Sequence, residues 1–183
     1  MSSKPKKLNY EIIERDGDGP EPYRIMDALV HAHHHHLIDA NIVMAWRMGW
    51  NPDKDEKLVL GQCKKASDLD RDLHGYDIII LLNSEVWNRA GFTDAHRRAL
   101  IDHELCHAAI EVDAEGEPKE DEQGRKVYRI RKHDIEEFRE VVDRHGIWKG
   151  DIESFAESIM RKAAPSLFGE ATYKHPATDE EAA

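Results

Sequence analysis

The segment His103-Glu104-Leu105-Cys106-His107 constrains this 183-residue chain more than any other. It lies in a stretch with helical spacing, where Ile101, Leu105, Ala108 and Val112 form an apolar face and Thr93 stands as an N-cap. The spacing predicts a helix from Thr93 to about Val112. On it, residues at i and i+4 share a face one turn apart, so the two imidazoles can hold one metal ion. Zinc suits imidazole nitrogen, and His-Glu-x-x-His on a helix is a hydrolytic zinc signature. Zinc brings the pKa of water towards ~7. Glu104, beside the first candidate ligand, takes the proton as water attacks a carbonyl. The bland alternative is a pair of solvated histidines with an ordinary surface acid between them. The helical context favours the metal.

A catalytic zinc site needs a third protein ligand and an open position. His133, 26 residues after His107, is the leading candidate, at the end of a predicted strand. Glu136 and Glu137 compete with it. His145 stands just before Gly146, where a helix C-terminus favours a histidine without any metal.

The rest of the chain supplies the frame. Ile25, Leu29, His33 and Leu37 predict a helix over 23–39. Strands are expected at about 42–50, 57–64 (Gly61 a possible bulge) and 77–83, the last an apolar run and well buried. Residues 67–75 read as a charged loop and 84–89 as a short helix. Residues 111–124 hold seven acids and one Lys and read as a loop or hairpin tip. An alternating strand over 125–132 follows, then helices from Asp134 to Arg144 and from Asp151 to Ala163. The expected fold is α+β, with a small, mostly antiparallel sheet of three to four strands packed on the active-site helix. One domain spans 23–169, between a flexible segment 1–22 and a disordered acidic tail 170–183.

The order of these elements, with Leu60-Gly61-Gln62-Cys63, Ala99-Leu-Ile-Asp-His-Glu-Leu-Cys-His107, Lys132-His133-Asp134 through Phe138, and Arg144-His-Gly146, resembles the SprT-like zinc metallopeptidases. It resembles more closely still the phage metallopeptidases related to them. The likeness covers roughly residues 23–163. It implies a minimal zincin-like fold with His103, His107 and His133 as zinc ligands and Glu104 as general base. It also implies hydrolysis of a protein or peptide substrate, with the strand 77–83 aligning that substrate along a sheet edge. With two cysteines in all, the chain has no CxxC zinc ribbon after the core, so repair of protein crosslinks on DNA is not carried over. A rival function is a non-catalytic binding or inhibitory protein stabilised by zinc.

Charge and composition narrow the partners. The net charge of −11 argues against binding nucleic acid by neutralising phosphates. The 111–124 loop and the 170–183 tail account for nine of those charges, so the remainder is nearly balanced. The basic segment 125–132 is expected to pair with nearby acids. No apolar run approaches the roughly 18 residues of a membrane span, and two cysteines make no disulfide framework. The expected setting is cytoplasmic, the host cytoplasm if the chain is phage-encoded. His31 and His33–His36 read as a solvated helix face with His33 turned inward. Cys63 and Cys106 read as buried small residues, Tyr128 as a packing residue, and Asp102 as pointing away from His107.

Overall fold

The run Ile78–Leu82 is apolar at every position and needs cover on both faces. The computed structural model gives it that cover as an interior strand. It describes residues 9–15, 20–136, 138–148 and 150–168. The expected acidic tail and much of the expected flexible segment before residue 23 lie outside them. The chain divides into two units, Met1–Lys132 and His133–Ala183.

The first unit holds the sheet. Its strands are β1 (Tyr10–Ile12), β2 (Ile42–Arg47), β3 (Gly61–Lys65) and β4 (Ile78–Asn83), in the order β1-β2-β4-β3. The β1–β2 and β4–β3 pairs are antiparallel and the β2–β4 pair is parallel. The fold is thus α+β, as expected. Two strand readings need correction. The segment 77–83 is no sheet edge, because β4 has a neighbour on each side; the edges are β1 and β3. Gly61 is no bulge, because the register runs unbroken from Gly61↔Leu82 to Lys65↔Ile78.

The helices show how caps override periodicity. Helix α1 (Glu21–His33) stops short of the predicted end, and a 3-10 turn, His35–Leu37, follows. Once the chain leaves the 3.6-residue period, the inward position shifts by one: His33 is exposed and His34 is buried. Residues 67–75 are not a loop but carry α2 (Asp68–His74), capped by reciprocal Ser67–Asp70 bonds and ended by Gly75 at φ 71°. After α3 (Ser84–Trp87), Thr93 caps α4 (Asp94–His107), with the His96 Nδ1 accepting from the Thr93 N–H at 3.1 Å. A cap of this kind contributes about 1 kcal/mol. Leu100, Ile101 and Leu105 of α4 enter the core with Met44, Ile80 and Leu82 of the sheet.

Helix α4 ends at His107, five residues earlier than its apolar spacing predicts. Ala108–Ile110 forms β5 instead, paired antiparallel to β6 (Tyr128–Ile130). Beyond them, Asp113 and Asp121 each accept loop N–H groups in the acidic hairpin. Arg71, on α2, is buried beneath it. Its guanidinium donates to Asp77 at 2.7 and 3.1 Å, to Asp121 at 3.3 Å and to the Lys126 carbonyl at 2.9 Å.

In the second unit, α5 (Arg139–His145) begins after Phe138 rather than at Asp134, and Gly146 at φ 67° ends it. Helix α6 (Gly150–Phe168) runs on past Pro165. Among the described residues, no helix is long and apolar enough to cross a membrane.

Candidate metal centre

Helix α4 turns Glu104 inward between Ile101 and Leu105, although it is a carboxylate. Only 3% of it is exposed. Strand β3 makes room for it. A Cβ built on Gly61 would lie 2.6 Å from the Glu104 Oε1 and 3.1 Å from its Cγ and Cδ. Two residues on, the Cys63 backbone N–H donates to the same carboxylate. Burial pushes the Glu104 pKa up to about 7, against the lowering effects of His107 and that N–H. The buried Cys63 thiol is raised to about 12, by burial first and then by the Glu104 charge. A buried carboxylate whose charge is offset by so little is a functional-site signature.

The two α4 histidines stand beside it. Their Nε2 atoms are 3.3 Å apart, with the rings nearly perpendicular at 81°. Nitrogens at about 2.0–2.1 Å on a tetrahedral zinc would be separated by about 3.3–3.4 Å. The His107 Nδ1 lies 2.7 Å from the Arg131 carbonyl, and the Arg131 N–H donates 2.7 Å to the His107 carbonyl. A carbonyl accepts only, so Nδ1 carries the proton and Nε2 presents a lone pair towards His103. That is how a metal-ligating imidazole is held. The donor chemistry and spacing of His103 and His107 therefore fit a zinc-class ion.

His133 opens the second unit and is exposed, two residues along the chain from Arg131. Glu136 is exposed, and Glu137 lies outside the described residues. His145 is the last residue of α5, as its place before Gly146 predicts.

Beside Glu104 and His103 opens a pocket of about 440 Å³, walled by Val59, Leu60, Phe92, Ala99 and Leu100. Its rim is held by Asn83, for which the apolar run it closes predicts no role. Asn83 is buried; it donates from Nδ2 to the Val59 carbonyl at 2.9 Å and caps α3 through Oδ1. The signal was there, since one amide closes an otherwise apolar run. Gly61 is the other missed residue. Its smallness serves the close approach of Glu104, the second meaning of a glycine in a strand.

Cys106 is exposed, contrary to expectation. Three residues on from the exposed His103, it lies about 60° around the helix and shares its outward side. Asp102 lies 2.7 Å from the His34 Nε2 rather than near His107. Tyr128 is buried and packs as predicted. Burial, then Asp77 and Asp39, push its pKa to about 12, which places it by the hairpin. The basic segment pairs internally as expected, Arg125 with Asp121 and Asp72, and Lys126 with Asp39.

A family model described as "Putative phage metallopeptidase" matches residues 18–162 of the chain. No curated protein and no solved structure matches it.

Proposed function

The chain belongs to that phage metallopeptidase family, and from this premise we propose that it hydrolyses peptide bonds as a zinc-dependent enzyme with Glu104 as general base. One observation carries the reading: a nearly buried carboxylate with a pKa near 7 stands beside two imidazoles at zinc-ligand spacing. His103 and His107 would hold the ion. His133 is the proposed third ligand, supported by the resemblance of its surroundings to the SprT-like pattern. The tether is short as well: Cα atoms two residues apart are at most about 7 Å apart, and Arg131 is bonded to His107. An ion held by these histidines would supply Lewis-acid chemistry, polarising a carbonyl and lowering the pKa of water.

The chain's own residues do the rest. Burial raises the proton affinity of Glu104 above that of an ordinary carboxylate, so it can take a proton from the attacking water and return it to the leaving amine. The Cys63 N–H and the space at Gly61 keep one carboxylate orientation. The pocket walled by Leu60, Phe92 and Leu100 receives an apolar side chain flanking the scissile bond. Edge strand β3, in place of β4, aligns the extended substrate. A cytoplasmic setting is supported by a cysteine content of two, too low for a disulfide framework, and a protein substrate in preference to nucleic acid by the acidic balance.

The test compares wild type with Glu104→Gln, measuring bound zinc by mass spectrometry and cleavage of a mixed protein pool. Both are run with His31, His33 and His35 replaced, to remove stray metal binding. Zinc in both proteins with cleavage only in wild type is the expected result. Zinc in both with cleavage in neither would favour a zinc-stabilised binding or inhibitory protein. Absence of zinc would overturn the site.

A further inference from the structure

Helix α4 carries a second pair of donors at i and i+4. Asp102 and Cys106 precede His103 and His107 by one residue each, so they lie about 100° around the helix from that pair. Across from them is His34, which is 6% exposed. Its backbone is fixed at the end of α1: its N–H donates to the Leu29 and Val30 carbonyls, and its carbonyl accepts from the Leu37 N–H at 2.8 Å. The same segment is pinned to the far end of α4, where the His36 Nε2 lies 2.9 Å from the Ala108 carbonyl. A ligand atom from each of His34, Asp102 and Cys106 lies within 4.8 Å of the other two.

We propose that His34, Asp102 and Cys106 form a second metal site, for a zinc-class divalent ion with affinity for thiolate. The donor set argues for that class. One imidazole, one carboxylate and one thiolate are all zinc ligands, and the sulfur disfavours magnesium and calcium. The geometry is close to what such an ion requires. Nitrogen or oxygen at about 2.0–2.2 Å and sulfur at about 2.3 Å leave tetrahedral donors about 3.3–3.7 Å apart. The His34–Asp102 contact of 2.7 Å has to open and any wider spacing to close, each by about 1 Å, within the reach of side-chain rotation. Bound there, the ion clamps the α1–β2 connection onto α4 and leaves its fourth position to solvent. The competing reading is a plain His34–Asp102 hydrogen bond with an exposed thiol beside it.

Cobalt(II) separates the two, because thiolate ligation gives a near-ultraviolet charge-transfer band that an all-imidazole site cannot produce. The full chain is titrated with cobalt(II) under reducing conditions. The expected result is a band that saturates within two equivalents in wild type, since the His103–His107 pair also takes cobalt, and is lost in Cys106→Ser. It is also lost or strongly weakened in His34→Asn. The band persists in Cys63→Ser, in the double variant His103→Ala/His107→Ala, and when His31, His33 and His35 are replaced. Circular dichroism confirms that the variants fold. Should Cys106→Ser unfold, His34→Asn and zinc stoichiometry carry the test, with one equivalent fewer than wild type expected. No charge-transfer band in wild type, or a band that survives Cys106→Ser, overturns the proposal. Because this readout needs neither peptidase activity nor the His103–His107 pair, its outcome is independent of the proposed function.

Discussion

Glu104 and Arg71 are buried to nearly the same degree in the same unit, at 3% and 5% exposure, yet the chain treats their charges in opposite ways. Arg71 is surrounded by acceptors: two carboxylates and a carbonyl take its N–H groups. Its charge is matched, and its work is to tie α2 and β4 to the acidic hairpin. Glu104 has one backbone donor from Cys63 and the His107 imidazole nearby, with apolar side chains and the bare Cα of Gly61 around the rest. Its charge is left under-compensated, and its pKa rises. Burial of a charge alone distinguishes nothing. A complete set of partners marks the structural residue, and a deficient set marks the one available for proton transfer.

The sharpest way to break this contrast is to remove each charge. Glu104→Gln is expected to abolish peptide hydrolysis, by about 10³-fold or more in kcat, while metal content and folding remain. Retained activity would deny Glu104 the role of base. Arg71→Ala should instead cost about 3–5 kcal/mol of stability, read by urea unfolding, because it leaves the Asp77 carboxylate without its cation and Asp121 with Arg125 alone. If its loss is under ~1 kcal/mol, the guanidinium is not the tie described above.

The two regions also predict opposite pH responses in metal-free protein. Glu104 is raised from the usual carboxylate range to about 7. Its contribution is fully present below the unfolded pKa of about 4.3 and is lost as pH rises through 7, on the order of 3 kcal/mol. Asp121 is lowered to about 2, chiefly by the Arg125 backbone N–H. Its contribution is present above about 4 and is lost as pH falls through 2. Denaturation followed across pH should therefore lose stability on both flanks, with Glu104→Gln flattening only the neutral one. An unchanged neutral flank in that variant would contradict the raised pKa.

Glycines give the finest comparison. Gly61→Ala puts a methyl group 2.6 Å from Oε1, which should cost about 1–3 kcal/mol and displace the carboxylate, so activity falls with stability. Gly124, at φ 74° in the acidic hairpin with nothing near its missing Cβ, should lose only about 1 kcal/mol on change to Ala, from left-handed backbone strain. Activity per folded molecule should be untouched there. Equal activity losses at both positions would erase the distinction between the two regions.

Some of this was legible in the chain because it is local. The spacing of His103 and His107, the Thr93 cap, the buried run at 78–82 and the stop at Gly146 follow from helical period, capping chemistry and apolar content within a few residues. Other readings failed where a neighbour in sequence was no guide. Ser67 and Asp70 form a capping box inside a stretch whose charge and polarity predict a loop, and the box makes it a helix. The apolar period of α4 runs on to Val112, but pairing with β6 ends the helix at His107. The period of α1 predicts His33 on the inner face, but the helix ends there and His34 turns inward instead.

By itself, then, the sequence determined which residues offer metal-binding and acid–base chemistry, since side-chain identity and i, i+4 spacing are properties of the chain alone. Only the tertiary structure decided what their environments make of them. It set β3 rather than β4 at the sheet edge, brought Gly61 and Cys63 against Glu104, and turned Cys106 outward while His34 came in to meet Asp102. The physical reason is that desolvation and partner count depend on surfaces brought together from distant segments. No periodicity within one segment records which surface it will meet.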